Sequence, residues 1–565
     1  MADIQGFFRG LTQYGDVEFS AFLRSVFLST MGVSRASAGN LVVGIANTSS
    51  GYVTCHREMP QLIEAISRGV AKAGGHPVVF PTMSLPEIMV NPTSMYLRNL
   101  MAMETEEAIR SQPMDAVVLV GGCDKTVPAQ LMAAVSANIP TIQVVAGPMI
   151  PGQWRGNRVG ACTDCRMIWR EYRAGNVTAE DVDEASMQLA PSGGTCGVMG
   201  TASTMACLSE TLGFAISGSA TAAAVSGRRL EIGELSGMAA VEAAKKGIRP
   251  RDFLTAESFA NAATVLGAIG GSTNAVVHLL AIARRAGIDF DLADIDERTS
   301  AVPVLVNCKP AGSGYLTDFD ADGGLPQVLH RVADRLSLSA TTATGESMAD
   351  RLLATPKKKV DGIGVCEPDQ PVNSSGAIRV LRGNLAPSGA VIKTPAATPR
   401  LLKHRGPAVV FTSLEDMASR IDLDDLDVTE DSVLVLQHAG PVAAGMPEAG
   451  ALPIPKKLSR LGVSDMVRIS DARMSGTAFG TVVLHVSPEA GVGGPLAAVR
   501  DGDIITLDAD KGELSVDLDD DTIAARLAEY RPYSELPDTS WALIQKKLIT
   551  QADQGADLDT SRMGA

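Results

Sequence analysis

Two hydrophobic rhythms divide the chain. In its first part, residues 41–46, 76–80, 116–120 and 141–145 are continuous, β-branched apolar runs, the pattern of strands buried on both faces. Between them apolar residues recur at helical spacing, as at Leu62, Ile63, Ile66 and Val70, and helices are predicted over 104–112 and 127–137. Strand and helix alternating with short connections predict an α/β fold with a doubly wound parallel sheet. Phe19, Phe22, Leu23, Val26 and Phe27 also fall at helical spacing and predict a helix packed on the body of the protein. Small residues dominate 201–211 and 259–283, which read as buried helices that let neighbours or a ligand approach closely.

After about residue 370 the rhythm changes. Short β-branched runs at 377–381, 391–393, 408–411, 433–437, 481–486 and 504–507 stand between Gly and Pro turns, predicting a β-barrel or sandwich. The chain therefore reads as an N-terminal α/β domain, 1–370, followed by a C-terminal β domain, 371–565. A length of 565 residues agrees, being too great for one core. The acidic runs 421–431 and 516–521 are expected to be solvated surface, and the tail beyond about 550 poorly ordered.

Composition narrows the function. Hydrophobic residues make up 45% and charged residues 20%, as in ordinary globular proteins. A net charge of −15 argues against general affinity for nucleic acid or anionic membranes and mostly keeps the protein soluble. No apolar run reaches membrane-spanning length, and the N-terminus lacks a basic region followed by an apolar core. Eight scattered cysteines favour reduced thiols over a disulfide framework, so a cytoplasmic protein is expected.

The chemistry concentrates at Ala116-Val-Val-Leu-Val-Gly-Gly-Cys-Asp-Lys-Thr-Val-Pro128. The strand ends in Gly121 and Gly122, where the backbone turns sharply, and Thr126 reads as the N-cap of the next helix. Cys123, Asp124 and Lys125 then lie at the carboxyl end of a sheet strand, where open α/β sheets place ligands. Soft sulfur suits iron or zinc and carboxylate suits magnesium, which points to two adjacent metal centres. Cys55 and Cys196 occupy comparable loops, though at separations matching no zinc finger; unpaired cysteine is more often a small buried hydrophobe. The Cys162-Thr-Asp-Cys165 pair is a rival redox or metal motif without a second such pair to complete it. Glu87 and Glu448 join Asp124 as carboxylates for a hard cation, although a lone loop Glu is ordinarily solvated. Ser475, beside a glycine in Asp471-Ala-Arg-Met-Ser-Gly476, reads either as a turn residue or as a reactive hydroxyl.

Four motifs change those odds. Cys123-Asp-Lys, Cys196-Gly-Val-Met-Gly-Thr-Ala-Ser-Thr-Met205, Arg382-Gly-Asn-Leu-Ala-Pro387 and Asp471-Ala-Arg-Met-Ser-Gly476 together resemble, in order and across essentially the whole chain, the iron–sulfur dehydratases of dihydroxy acids and sugar acids. The resemblance implies an α/β domain followed by a β-barrel, with the active site between them near a dimer interface, in a homodimer or a dimer-of-dimers tetramer. It further implies a [2Fe–2S] cluster on Cys55, Cys123 and Cys196, and Mg²⁺ on Glu87, Asp124, Glu448 and a carboxylated Lys125. Ser475 would be the base, with Thr477 the next hydroxyl in line. Three thiolates leave one iron with an open position, able to turn a 3-hydroxyl into a leaving group. A hard cation would chelate the 2-hydroxyl and carboxylate, and two cationic centres would depress the serine pKa. Carboxylation would turn Lys125 from a cation into an oxygen ligand.

Within that family, Cys55-His-Arg and the Cys196 motif resemble the sugar-acid enzymes more than the branched-chain biosynthetic or phosphogluconate enzymes. The Gly440–Glu448 loop is shorter than the family's usual version, and Cys162/Cys165 is not a family feature. The leading expectation is a hydro-lyase converting aldonic acids (arabinonate-, xylonate- or gluconate-like) to 2-keto-3-deoxy acids. The alternative within the family is a dihydroxyacid dehydratase of branched-chain amino acid synthesis. A cluster-bearing sensor is the alternative outside it, against which Ser475 speaks, because a sensor needs no base.

Overall fold

The β-branched runs of the first part form the parallel sheet their pattern predicts. The computed structural model describes residues 5–34, 37–374, 376–559 and 561. Strands β1 (Val42–Asn47), β2 (His76–Pro81), β3 (Ala116–Gly121) and β4 (Thr141–Val145) pair in the order β2-β1-β3-β4, all parallel. Every residue of β3 and β4 is buried, which is why neither shows alternation. Helices α1 (Val17–Thr30), α2 (Met59–Lys72), α3 (Ser94–Ser111) and α4 (Thr126–Ala137) precede or connect these strands.

Sequence and structure differ at several places here, each for a physical reason. α3 begins at Ser94 rather than 104; Arg98 and Asn99 are buried within its first turns and interrupt the apolar stripe. Lys125, not Thr126, caps α4, because the Thr126 N–H closes a turn on the Cys123 carbonyl at 3.0 Å and already belongs to the helix. The expected α1 forms, but it rests on the body through Ser20 and Leu28 and turns its aromatic side outward. Phe22 and Phe27 are 62% and 64% exposed, so α1 is not packed on the body through the face its spacing suggested.

A small hairpin, β5 (Gly152–Trp154) with β6 (Asn157–Val159), leads into α5 (Thr163–Ala174) and α6 (Ala179–Leu189). The small-residue segment forms α7 (Thr201–Thr211), buried along its whole length, and α8 (Gly227–Lys246) follows. The 259–283 stretch is two helices, Ala256–Ala268 and Asn274–Ala286, separated where Gly270 takes φ +61°.

The second part is a closed eight-stranded barrel. β7 (Ile378–Gly383), β8 (Ala386–Lys393), β9 (Lys403–Phe411), β10 (Val433–Leu436), β11 (Arg468–Ser470), β12 (Val482–Ser487), β13 (Ile504–Asp508) and β14 (Glu513–Val516) close in the order β10-β11-β12-β8-β7-β14-β13-β9. Val433 and Val435 fall in one apolar cluster and Leu434 and Leu436 in another, so β10 buries both faces. β11 and β14 were not expected. Val516, assigned to an acidic surface run, is instead the buried end of β14.

The tail beyond 550 is docked rather than loose. Arg98 donates to the carbonyls of Gly555 and Ala556 at 2.9 and 2.7 Å, and Arg285 holds the buried Asp557 with two hydrogen bonds. Burial pushes the Asp557 carboxyl up, but the hydrogen bond and charge of Arg285 outweigh it and hold it below the ordinary value. Among the described residues no helix is long and apolar enough to cross a membrane.

Candidate active site

The carboxyl ends of the central strands carry the thiols to one edge of the sheet. β3 runs into Gly122-Cys123-Asp124-Lys125, and the loop after β1 returns through Thr48 to Cys55 and His56. A Cβ on Gly122 would come within 2.6 Å of Ala146 Cβ and 3.1 Å of His56 Cδ2, so only glycine lets these loops meet. His56 accepts the Cys123 N–H on Nε2 at 3.0 Å and donates from Nδ1 to the Thr48 carbonyl at 2.8 Å. Burial pushes this histidine down to about 4 against the opposing Thr48 bond, so it is a neutral spacer that pins the Cys123 turn. Beyond β4, reciprocal backbone bonds from Thr195 to Gly147 and from Met149 to Thr195 bring the Cys196 loop to the same edge.

The thiols form two pairs. Cys55 lies beside Cys123, whose thiol that neighbour and then burial raise well above the ordinary value. Cys196 Sγ lies 3.7 Å from Cys162 Sγ. Cys162, at the N-cap of α5, is depressed to about 3 by its neighbours Cys165 and Cys196. The pairing of Cys162 with Cys196 was not foreseen. Of the other cysteines, Cys207 and Cys308 are core residues, 1% exposed, and Cys366 is half-buried.

Beside the thiols lies an acidic group. Glu87, Asp124 and Glu448 place one carboxylate oxygen each within 4.8 Å of one another, the one such group of donors among the described residues. Lys125 Nζ, fully buried, is 3.2 Å from Glu87 Oε2 and 3.8 Å from Asp124 Oδ2. Arg473, from the loop after β11, donates to Glu448 Oε1 at 2.5 Å, to Glu87 Oε1 at 2.7 Å and to the Met446 carbonyl at 2.8 Å. It stands inside the Asp471–Gly476 motif, yet only the structure brings it between two domains' carboxylates. Burial pushes Glu87 up, but Arg473 and Lys125 outweigh it and bring it down to about 2. Glu448 is pushed up to about 7 by burial and then by the Glu87 charge, and Asp124 is raised chiefly by burial. Three carboxylates facing two cations are therefore one positive charge short of full ionisation.

Ser475 and Thr477 follow Arg473 on the same loop, with their hydroxyls 2.9 Å apart. A Cβ on Gly476 would reach within 2.5 Å of Ser272 Oγ and 2.8 Å of the Thr201 N–H, and one on Gly200 within 2.9 Å of Thr477 Cγ2. The barrel loop thus sits against the start of α7, just past Cys196. Thr163 Oγ1 donates to the Thr477 carbonyl at 2.9 Å, tying the same loop to the Cys162 turn.

A parallel-sheet domain and a closed eight-stranded barrel define an α/β-plus-barrel protein, and the two parts bring thiols, carboxylates and a serine together in one candidate site. The chain belongs to the dihydroxy-acid/6-phosphogluconate dehydratase family: the N-terminal model matches residues 41–351 and the C-terminal model residues 365–556. It is 46% identical to an L-arabinonate dehydratase of Rhizobium leguminosarum bv. trifolii over 92% of this chain and 90% of that one. It is 44% identical to a 6-deoxy-6-sulfo-D-gluconate dehydratase of Pseudomonas putida, covering 96% and 94% of the two chains. A dihydroxy-acid dehydratase of Clostridium beijerinckii is 35% identical over 94% of this chain and 96% of its own. The protein is a dehydratase, a hydro-lyase.

Proposed function

We propose that this dehydratase acts on aldonic acids, such as arabinonate, xylonate or gluconate, and yields 2-keto-3-deoxy acids. The observation that carries the reading is the meeting of soft and hard donors with a buried serine: thiols after β1 and β3, the Glu87–Asp124–Glu448 group, and Ser475. The donor chemistry fits two centres, a [2Fe–2S] cluster on Cys55, Cys123 and Cys196 and Mg²⁺ on Glu87, Asp124, Glu448 and a carboxylated Lys125. Lys125 Nζ already sits among the carboxylates, where a carbamate oxygen would join them. When bound, these centres supply Lewis acidity at the 3-hydroxyl and charge stabilisation at the 2-hydroxyl and carboxylate. Ser475 Oγ, as the alkoxide, would take the C2 proton and return it to the departing 3-hydroxyl, which leaves as water as the C3–O bond breaks; the resulting enol tautomerises to the 2-keto acid. Arg473 positions Glu87 and Glu448 by holding one oxygen of each, leaving the others to face a cation.

The relatives with sugar-acid names, at 44% and 46% identity, stand above the dihydroxy-acid relative at 35%. Near the serine loop, Asn274 donates to Thr201 Oγ1, while Asn274 Oδ1 and Thr273 Oγ1 lack a protein partner. Such atoms suit hydroxyls and not methyl groups. Each unpaired polar group facing a methyl costs about 1–3 kcal/mol, so a pentonate or hexonate should exceed 2,3-dihydroxyisovalerate more than about tenfold in kcat/KM. Side-by-side anaerobic kinetics with Mg²⁺ test this, and a preference for the branched acid would make the enzyme a dihydroxyacid dehydratase.

The carboxylate group makes a pH-dependent prediction. In the cation-free protein the protonated form of Glu448 is favoured, so its contribution to stability is full below its ordinary 4.5 and is lost as pH rises through about 7. Mg²⁺ takes the place of that proton. The rise in Tm on saturating with Mg²⁺ should therefore be small at pH 5.5 and clearly larger at pH 8. An equal rise at both pH values would place the cation elsewhere.

We also infer a homodimer or a dimer-of-dimers tetramer. The outward aromatic face of α1 supports this, as do exposed Tyr52 and Ile88 on the loops that carry Cys55 and Glu87. Sedimentation should give an oligomer that Phe22→Glu/Phe27→Glu weakens; a monomeric wild-type chain would end this reading.

A further inference from the structure

Four thiols, rather than three, converge where the sheet meets the barrel. Cys162 is no stray neighbour of Cys196, because its turn is anchored on every side. Asp164, two residues on and buried, accepts from Lys309 Nζ at 2.6 Å, from the Tyr315 hydroxyl at 2.7 Å and from the Gly160 N–H at 2.8 Å. Thr163 ties the same turn to the Thr477 carbonyl of the serine loop. The Cys162 side chain is thereby delivered to Cys196 with a sulfur–sulfur distance of 3.7 Å. Two thiolates on one tetrahedral metal atom, each at about 2.3 Å, lie about 3.8 Å apart. The observed pair already has that span, and Cys55 and Cys123 stand on the neighbouring loops after β1 and β3 at the same edge of the sheet.

We propose that Cys162 is a fourth thiol ligand of the iron–sulfur centre, sharing one iron with Cys196 while Cys55 and Cys123 share the other. The inference rests on the cofactor reading above and extends it. Four thiolates in two pairs complete the usual ligation of a [2Fe–2S] cluster. Each thiol releases its proton to solvent on ligation. The position that Lewis-acid chemistry needs open is then closed at rest. A substrate hydroxyl would gain it by displacing the Cys162 sulfur, which would take back a proton from solvent and leave as the neutral thiol. The resting centre is shielded until substrate arrives.

The test uses the full chain, reconstituted anaerobically with ⁵⁷Fe and sulfide, and reads the cluster itself. In the wild type without substrate, Mössbauer spectra should show two equivalent irons, one of which becomes distinct when a sugar acid is added. In Cys162→Ser the irons should be distinct from the start, and iron should pass to a chelator at least about tenfold faster, the lower end of the effect of even an outer-shell change on metal affinity. Cys162→Ala should behave likewise and guards against a folding defect of the serine variant. Cys196→Ser alone should keep iron through Cys162, whereas Cys162→Ser/Cys196→Ser should lose it. Identical spectra and chelator rates for wild type and both Cys162 variants would overturn the inference while leaving the cluster in place. A wild-type chain that takes up no iron and sulfide would instead overturn the cofactor reading beneath it.

Discussion

Ser475→Ala should fold normally, keep its colour and its Mg²⁺-dependent rise in Tm, and lose turnover by about 10²–10⁴-fold, the usual contribution of a positioned base. The serine is 7% exposed and its one hydroxyl partner is Thr477, so truncation removes a single oxygen without stranding a buried charge. The loop itself is held by other contacts: Arg473 to both glutamates, Gly476 against Thr201, and the Thr477 carbonyl to Thr163. The loss should therefore fall on kcat with little change in KM, the pattern of an interaction made only in the transition state. Thr477→Val should cost less, because that hydroxyl reaches the reaction through Ser475. Near-normal kcat in Ser475→Ala, with a large loss in Thr477→Val, would transfer the base to Thr477.

The sheet and barrel were legible because burial leaves a plain mark. Strands such as β3 and β10, covered on both faces, are unbroken apolar runs, and α7 is dominated by small residues and buried throughout. What escaped has no such mark. β11 and β14 are three and four residues long and begin with Arg468 and Glu513, so closure of the barrel, not their own pattern, makes them strands. The aromatics of α1 have core periodicity, but periodicity cannot say whether a core faces them. The tail lacks apolar rhythm because buried Arg98 and half-buried Arg285, distant in sequence, hold it. The site divides the same way. Cys123, Asp124 and Lys125 are adjacent in the chain, whereas Arg473 and Cys162 acquire partners only when the barrel loop and the α5 turn close on the sheet.

Cys55→Ser/Cys123→Ser should yield a folded, colourless chain with activity at background. Serine nearly matches cysteine in size, and the features that shape this edge do not use sulfur. The Cys123 backbone N–H still reaches His56 Nε2, and Gly122 still admits Ala146 and His56. Chemically the change is large, since a hard hydroxyl replaces a soft thiolate at a centre that selects sulfur. Both thiols of one pair go at once, so neither Cys196 nor Cys162 on the other side can complete the ligation. The carboxylates are untouched, which gives the experiment its internal control. The Mg²⁺-dependent rise in Tm, and its growth from pH 5.5 to pH 8, should match wild type while visible absorption, iron and sulfide are absent. Loss of the Mg²⁺ response together with the colour would mean the two centres depend on one another structurally. Retention of full colour would move the cluster away from β1 and β3, and with it the assignment of Cys55 and Cys123.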